Sequence, residues 1–323
     1  MKRKLTIALA ALLLFTMTGC IERNTVKYEI AVLGMHEEPF GREAEIYKGV
    51  KEYADSVGLT YAYYAVGEDS FDGRESAIRH AMNNRAKLVF VADPSFSEVV
   101  YEKQYFYEKY NFSMLGIRPR SMDGTKTVVT ENVAVMLYDE RAAGYLAGQA
   151  LVKEGYTSIG FVDEAGHDYY RGFSEALSEG GATLLRTSKA EEVSAWYDEG
   201  VEVVFAVGES IEQVAPIAEG KGKKVVGTEY DRSYLGKSVL SSLVKDWKTS
   251  AYAVTFLWHV GYWLDKSEHR LAESVRTVGA GTSYSAYPAC DWFGFSDFSG
   301  FQTYDASSQA EALALLAKKD WKK

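Results

Sequence analysis

Carboxylate and aromatic side chains recur together in the loops that follow the apolar runs of this sequence. Those loops contain Glu37, Glu38, Phe40, Asp93, Phe96, Asp163, Glu164, Glu209, Glu229, Tyr230 and Asp231. A carboxylate can accept two hydroxyl hydrogen bonds while an aromatic ring stacks on a flat group. The combination favours binding of a neutral, polyhydroxylated molecule with a flat portion. Polar residues of such loops can instead cap a helix or a turn. We expect that role for Asp163 and for two serines of the same loops, Ser95 and Ser210.

The chain lacks the residue patterns of common catalytic and metal sites. It contains no G-x-S-x-G elbow, no H-E-x-x-H helix and no C-x-x-C pair. Residues 235–238 have the sequence Leu-Gly-Lys-Ser, which resembles the end of a phosphate-binding loop. The first glycine of that motif is missing, because Asp231 stands at its position. The five histidines are scattered without the spacing of metal ligands. We therefore expect a binding protein that is not an enzyme and that holds no cofactor or metal.

Short apolar runs alternate with helical patterns, and these elements must position the loops. The predicted strands are residues 26–34, 59–66, 87–92, 112–117, 158–162, 183–186, 201–207, 223–227 and 239–245. The predicted helices are residues 42–57, 72–84, 95–110, 142–152, 169–178, 191–197, 211–218, 247–264 and 307–319. Apolar strands between helices are typical of parallel sheets that are covered on both faces. The sequence thus predicts an α/β fold with two doubly wound parallel-sheet lobes and a multi-crossover hinge.

A stretch rich in Asp, Gly and Thr at residues 121–127 indicates where the two lobes divide. The predicted lobes are an N-terminal one, residues 26–130 completed by about 246–275, and a C-terminal one, residues 131–245 completed by parts of 276–323. In open parallel sheets, ligands bind outside the carboxyl ends of the strands. We therefore expect a ligand between the lobes.

Residues 1–20 have the three parts of a secretion signal. Residues 2–4 are Lys-Arg-Lys, and residues 5–15 form an apolar run that is too short to span a bilayer as a stable helix. The Met-Thr-Gly-Cys sequence that ends at Cys20 resembles a bacterial lipobox, in which the cysteine receives a diacylglyceryl group. An ordinary cleaved signal peptide or an N-terminal membrane anchor is the alternative.

The lipobox resemblance predicts how the N-terminus is processed. Residues 1–19 would be removed as a lipoprotein signal peptide, Cys20 would be lipidated, and residues 20–25 would form a short tether. Several acyl chains together hold a protein firmly on a membrane. We therefore expect a lipid anchor on the extracytoplasmic face of a bacterial cell membrane.

The charge balance argues against a nucleic-acid partner. The formal net charge is −9, and loss of the three positive charges in residues 1–19 would make it −12. A nucleic-acid binder needs a basic face that neutralises phosphates. The two cysteines, Cys20 and Cys290, are too few for a disulfide framework.

Five ordered matches across residues 130–245 resemble the basic membrane protein family of lipoproteins. They are Asn132-Val133 with residues 138–148 (family N-V … R-E-x-E-A-x-Y-L-A-G), residues 159–162 with Gly172-Phe173 (G-F-V … G-F), residues 200–205 (G-A-D-V-V-F), residues 226–229 (I-G-V-D) and residues 239–245 (V-L-T-S-x-x-K). Residues 26–118 agree in pattern more than in letters. The series of matches in one order is stronger evidence than any single match.

The resemblance implies a type I periplasmic-binding-protein fold whose lobes close on a ligand and deliver it to an ABC permease. Characterised members bind purine nucleosides. By position, Glu229 stands at the family's ribose-binding aspartate, Lys245 at its ribose-side lysine and Phe40 at its base-stacking phenylalanine. Glutamate replaces aspartate at position 229, and residues 37–41 read E-E-P-F-G instead of the family's D-D-x-S-F-N.

The loops and the resemblance together predict a ligand site made by Phe40, Asp93, Phe96, Gly208, Glu209, Glu229 and Lys245. The leading hypothesis is a lipid-anchored solute-binding protein that captures a small polar, nucleoside-like ligand for an ABC importer. One alternative is a ligand-sensing or regulatory surface lipoprotein of the same fold. Another is a degenerate family member that acts as an interaction protein without a small ligand.

Overall fold

The structure of the protein is a computed structural model, which describes residues 27–264 and 270–319. The predicted signal peptide, the lipidation site Cys20 and the tether lie outside these residues. The strands are β1 (Ile30–Gly34), β2 (Tyr61–Ala65), β3 (Leu88–Val91), β4 (Asn111–Leu115), β5 (Val133–Tyr138), β6 (Ser158–Val162), β7 (Thr183–Thr187), β8 (Val203–Ala206), β9 (Lys224–Glu229), β10 (Val239–Lys245), β11 (Ser274–Val278), β12 (Thr282–Tyr284), β13 (Tyr287–Cys290) and β14 (Phe293–Phe295). The helices are α1 (Arg42–Val57), α2 (Phe71–Asn83), α3 (Ser97–Lys103), α4 (Glu140–Lys153), α5 (Tyr169–Gly180), α6 (Val193–Asp198), α7 (Ile211–Lys221), α8 (Trp247–His259) and α9 (Ala306–Leu316).

Two six-stranded sheets form the centres of two lobes. The first sheet has the order β2-β1-β3-β4-β5-β11, and all of its neighbouring strands are parallel. The second has the order β7-β6-β8-β9-β10-β14, in which β14 alone runs antiparallel to its neighbour. Strands such as β3 are apolar and buried throughout because helices cover both faces of the sheet. The predicted two-lobed α/β fold is confirmed.

Alternate residues of each strand face different helix layers. In β1, Ile30 and Val32 pack against α1 and α8, whereas Ala31 and Leu33 pack against α2. In the second lobe, α4, α5 and α9 cover one face of the sheet, and α6 and α7 cover the other. This arrangement leaves the carboxyl ends of the strands open for a ligand.

Helices α4 and α5 approach closely because glycines stand at their contact. A Cβ atom on Gly172 would lie 1.8 Å from the carbonyl oxygen of Arg141, and one on Gly144 would lie 2.1 Å from that of Tyr169. Any larger side chain would therefore force the helices apart. The close packing fixes Tyr169, the first residue of α5, whose hydroxyl group reaches the site described below.

Within residues 27–264 and 270–319, the chain crosses between the lobes three times, at Asp139, at Asp246 and after Trp292. Asp139 follows β5 and caps α4 by accepting a hydrogen bond from the backbone N–H of Ala142 at 2.9 Å. Asp246 follows β10 and caps α8 through the backbone N–H of Thr249, also at 2.9 Å. The backbone N–H of Asp246 donates to the carbonyl of Trp292 at 2.8 Å, so two of the crossings are tied together.

The lobe boundaries differ from those predicted at residues 130 and 275. Strand β5 pairs in parallel with β4, so the first sheet continues to Tyr138. The first lobe is then completed by α8, β11 and the β12–β13 hairpin, and Trp292 still lies in its core. Strand β5 is absent from the predicted strands; its residues are apolar and mostly buried, but such a local pattern carries no information on which sheet a strand joins.

Helices α3 and α8 end several residues before their predicted ends. Helix α3 ends at Lys103 instead of residue 110 because the buried Gln104 side chain accepts a hydrogen bond from the backbone N–H of Thr130 at 3.2 Å, which turns the chain inward. Helix α8 ends at His259, shortly before Gly261 at φ +92°. None of the helices in the described part of the chain has the length and apolarity that a membrane span requires.

Candidate functional site

A cleft of about 730 Å³ lies between the lobes at the carboxyl ends of their parallel strands. The first lobe lines it with the start of α1 and the loops after β3 and β4. The second lobe contributes the loops after β6 and β8, the start of α4 and the ends of β9 and β10. The position is the one at which open parallel sheets bind ligands, and the volume is typical of a small-molecule pocket.

A buried charged cluster forms part of the cleft lining. Lys245, the last residue of β10, places its Nζ atom 2.8 Å from Glu229 Oε1 and 2.9 Å from Glu140 Oε1. The Tyr169 hydroxyl donates a hydrogen bond to Glu229 Oε1 at 3.0 Å. The side chains of Glu229 and Lys245 are each only 4% exposed. The two residues that the resemblance predicted on the sugar side of a ligand are therefore in direct contact.

The members of this cluster keep one another charged. Burial opposes ionisation of Glu229, but the positive charges of Lys245 and Arg42 hold its pKa at about 2. Burial likewise opposes charging of Lys245, yet Glu229 and Glu140 raise the pKa of Lys245 above its ordinary value. Glu229 is therefore a carboxylate at neutral pH and can only accept hydrogen bonds. Among the described residues, none donates a hydrogen bond to its Oε2 atom.

The backbone of Glu229 is held in an uncommon conformation. Its φ is +74°, which costs a non-glycine residue on the order of 1–3 kcal/mol. The indole Nε1–H of Trp247 donates a hydrogen bond to the Glu229 carbonyl at 2.6 Å. Trp247 belongs to the core of the first lobe, where its ring packs against Tyr138. This hydrogen bond therefore joins the two lobes directly beside the charged cluster.

Asp163 organises the loop after β6. Its carboxylate accepts hydrogen bonds from the backbone N–H groups of Ala165 at 3.1 Å, Gly166 at 3.0 Å and His167 at 2.6 Å. It also lies 3.0 Å from Nδ1 of His167. Burial opposes its ionisation, but the contacts with His167 and with the backbone donors lower the pKa of Asp163; the same side-chain bond raises the pKa of His167. The turn-capping role expected for Asp163 is confirmed.

Glu209 lines the cleft and is paired with a buried arginine. Nη2 of Arg232 lies 2.8 Å from Glu209 Oε1, and Nη1 lies 2.9 Å from Glu212 Oε1. Nη2 also donates to the carbonyl of Gly208, and the guanidinium stacks 3.7 Å from the centroid of the Tyr230 ring. Gly208 and Glu209, two of the predicted site residues, thus border the cleft, and Arg232 pairs with both Glu209 and Glu212.

Three arginines line the first-lobe side of the cleft. Arg42 begins α1, and its guanidinium lies 5.6 Å from the centroid of the Trp247 ring. Arg118 and Arg120 follow β4 and are exposed. Within the described ranges, none of the three forms an ion pair with a carboxylate.

Comparisons with solved structures identify this arrangement of lobes and cleft. The chain is similar to a transcriptional activator of the comK gene from Bacillus halodurans, with a TM-score of 0.66, 14% identity and coverage of 90% of this chain and 96% of that one. It is also similar to an ABC transporter solute-binding protein from Conexibacter woesei DSM 14684, with a TM-score of 0.66, 13% identity and coverage of 90% and 95%. The protein has the type I periplasmic-binding-protein fold. A third similar structure with this fold is the arabinose-binding protein AraP from Geobacillus stearothermophilus, with a TM-score of 0.59, 11% identity and coverage of 77% and 93%.

Sequence comparisons add no closer relationship to this periplasmic-binding-protein fold. No protein-family profile and no curated protein matches the chain. Identities of 11–14% establish a shared fold and carry no information on shared ligands. Membership of the basic membrane protein family therefore stays a prediction.

Three of the predicted site residues lie outside the cleft lining. Phe96 is fully buried in the core of the first lobe. Asp93 caps the turn after β3 by accepting a hydrogen bond from the backbone N–H of Ser95 at 2.9 Å. Phe40 packs against Tyr230 and borders a second cavity, of about 640 Å³, instead of the cleft. The end of a strand predicts where a loop lies but not the direction of each of its side chains.

The titratable residues of the cleft lining that sequence analysis missed are Arg42, Arg118, Arg120, Glu140, His167 and Asp168. Arg118 and Arg120 directly follow β4, so the rule that found the other loops applies equally to them. Glu140 lies within the matched run 138–148, where no ligand role was assigned to it. The contact between His167 and Asp163 is local, at positions i and i+4, and could have been anticipated only with a known loop conformation.

Proposed function

We propose that the protein is an extracytoplasmic, lipid-anchored solute-binding protein that captures a small polar ligand and delivers it to an ABC importer. A nucleoside is the ligand class that we propose to test first. The observation that carries this proposal is the polar cleft between two lobes, with the ionised Glu229 and Lys245 buried in its lining. The likeness in fold to solute-binding proteins supports the same function.

The chemistry of Glu229 suits a ligand that carries hydroxyl groups. Its carboxylate is held in place by Lys245 and Tyr169 through Oε1. Its Oε2 atom is therefore the acceptor that a ribose or other sugar hydroxyl would use. Because a fixed acceptor has already lost its rotational freedom, a ligand that binds to it loses less free energy on ordering the site.

Binding would act through closure of the lobes. A ligand that touches both lobes stabilises the closed arrangement by its difference in affinity for the closed and open forms. Short crossings at Asp139 and Asp246 permit rotation about a hinge while each sheet stays rigid. The closed form would then be the one that a permease recognises.

We propose binding without a chemical step. In the described part of the cleft lining, no nucleophile is hydrogen-bonded to a base, since His167 is paired with Asp163 and Lys245 with two glutamates. Among the residues that the structure describes, no group of three or more His, Cys, Asp or Glu is arranged to hold a metal ion.

A regulatory role is the second candidate function. The likeness in fold to a protein described as a transcriptional activator favours it. In that case ligand-induced closure would be detected by a membrane or intracellular partner. An interaction protein without a small ligand is the remaining alternative, and Phe40 supports it because this residue lies outside the cleft.

The deciding experiment measures ligand binding by the full chain, purified in detergent, with a panel of nucleosides, nucleobases, sugars and amino acids. A ligand at about 100 times its dissociation constant stabilises the folded state by about 2.7 kcal/mol, which appears as a higher unfolding temperature. Glu229→Gln should abolish the shift given by a hydroxylated ligand. Glu108→Gln is the matched control, because Glu108 is exposed and lies away from the cleft.

The outcomes of that panel separate the candidates. A shift with nucleosides that Glu229→Gln removes supports the nucleoside proposal. A shift with another class retains a solute-binding protein and rejects the nucleoside. No shift with any compound, from a folded chain that carries no co-purified ligand, rejects capture of these solutes and favours an interaction protein.

A further inference from the structure

The two walls of the cleft carry charges of opposite sign that form no close ion pair within the described ranges. Arg42, Arg118 and Arg120 stand on the first-lobe wall without an ion-pair partner among the described residues. On the opposite wall, Glu164 and Asp168 likewise form no ion pair with a residue that the structure describes. A ligand between these walls meets hydrogen-bond donors on one side and acceptors on the other.

The other charged groups of the cleft are already matched. Lys245 lies within 2.9 Å of both Glu140 and Glu229. Glu209 is paired with the buried Arg232 at 2.8 Å. These contacts leave the guanidinium groups of the first-lobe wall as the positive charge that is available to a ligand.

We propose that the cleft binds a phosphorylated ligand, with its phosphate on Arg118, Arg120 and Arg42 and its hydroxyl groups directed to Glu229. This inference rests on the proposed solute-binding function and names the class of solute. A guanidinium offers five N–H donors in a planar fork that fits phosphate oxygens. The compounds to test are therefore a nucleoside monophosphate and a sugar phosphate.

The number of arginines favours phosphate over carboxylate. One arginine satisfies a carboxylate through two parallel hydrogen bonds. Three guanidinium groups supply more positive charge and more hydrogen-bond donors than a single carboxylate can use. A phosphate monoester can use them, because it carries about −1.5 to −2 charges and three terminal oxygens at pH 7. Arg42, Arg118, Arg120 and Glu229 all line the same cleft. The positive charge of Arg42 also lowers the pKa of Glu229.

The test compares matched compounds that differ only in the phosphate: adenosine with adenosine monophosphate, and ribose with ribose 5-phosphate. Affinities are measured by calorimetry on the full chain in detergent, in a buffer without phosphate and at low salt. We expect the phosphorylated member of at least one pair to bind about tenfold more tightly or better, since hydrogen bonds to charged groups are among the stronger ones.

Variants then locate the phosphate. Arg118→Gln and Arg120→Gln should each weaken binding of the phosphorylated compound about tenfold and leave the neutral one nearly unchanged. Both side chains are exposed, so the variants should fold. Lys87→Gln removes an exposed charge just before β3, at the opposite end of the first sheet, and should change neither affinity.

Several results would overturn the inference. Equal or tighter binding of the neutral compounds rejects the phosphate while retaining the solute-binding function, because the neutral member reports that function by itself. If the arginine variants weaken binding of the neutral and the phosphorylated compound equally, the phosphate inference is also rejected. The arginines would then act in lobe closure, by attraction to Glu164 and Asp168 on the opposite wall. Failure of all four compounds to bind overturns this inference, whereas the wider panel described under the proposed function tests solute binding by itself.

Discussion

The ring of Phe40 in the first lobe lies edge-on to the ring of Tyr230 in the second, with 5.8 Å between their centroids and 80° between their planes. Tyr230 also covers Gly41, where a Cβ atom would lie 2.7 Å from Cζ of the ring. On its other side, the guanidinium of Arg232 stacks on Tyr230 at 3.7 Å. The aromatic contact therefore links the lobes at one side of the cleft and is supported by Arg232, which also holds Glu209.

This contact predicts an energetic coupling between the lobes. Phe40→Ala and Tyr230→Ala, combined in a double-mutant cycle, should show a coupling of about 0.5–1.5 kcal/mol in the free energy of unfolding, as edge-to-face aromatic pairs do. Denaturant titration of the single and double variants gives the value. The matched control is Phe106, which is 78% exposed and lies outside the contacts of Tyr230. Phe106→Ala combined with Tyr230→Ala should therefore show no coupling. Additive effects of Phe40→Ala and Tyr230→Ala would contradict the prediction.

Removal of the buried ammonium should destabilise the fold strongly. Lys245→Met leaves Glu229 and Glu140 without their shared cation, and removing one partner of a buried ion pair costs about 3–5 kcal/mol. Glu140→Gln should cost less because Lys245 keeps its contact with Glu229 and Glu140 is 21% exposed. Urea unfolding of both variants provides the comparison. A Lys245→Met protein as stable as the wild type would show that the cluster contributes little to folding.

The charged cluster also predicts how stability depends on pH. The pKa of Glu229 falls from an ordinary 4.5 to about 2 in the folded protein. A carboxyl group with a lowered pKa contributes stability that is fully present above its unfolded value and is lost as the pH falls toward the folded value. The difference in unfolding free energy between wild type and Glu229→Gln should therefore be constant near neutral pH and shrink between about pH 4.5 and 2. A difference that does not change across this range would contradict the ionised state of Glu229.

The lipid anchor gives a cellular prediction. Cys20→Ser should move the protein from the membrane fraction to the soluble extracytoplasmic fraction, because it removes the acceptor of the lipid. Cys290→Ser is the matched control and should stay in the membrane fraction, since Cys290 is a partly buried residue of the first lobe. Fractionation followed by mass measurement of the mature chain tests both variants. Retention of Cys20→Ser in the membrane would indicate an uncleaved N-terminal anchor.

Local pattern was sufficient to predict most of the secondary structure. Runs such as Leu88–Val91 and Val203–Ala206 are apolar because both of their faces are covered, and that property can be read without knowing their neighbours. The lobe boundary depended on long-range pairing instead. Asp139 looks like any helix cap after a strand, although the chain changes lobes there. No local feature distinguishes such a crossing from an ordinary turn.

The candidate site was predicted unevenly for a similar reason. Glu229 and Lys245 were matched by position in a resemblance that covers both of their strands, and the structure brings them together. Phe96 was selected by residue type and loop position, but it faces the core because a single turn of 3-10 helix rotates it inward. The pairing of Arg232 with Glu209 spans 23 residues and two loops, so no local pattern reports it.

The three crossings mean that neither lobe is encoded by one uninterrupted stretch of the gene. As the chain emerges from the ribosome, β1 to β5 can pair first, but β5 is left as an open sheet edge until β11 arrives, after the entire parallel part of the second sheet has been made. An unpaired strand edge is a site for aggregation. The β5 edge of the first sheet thus stays unpaired while residues 139–273 are made, and it is open to wrong pairing during that interval.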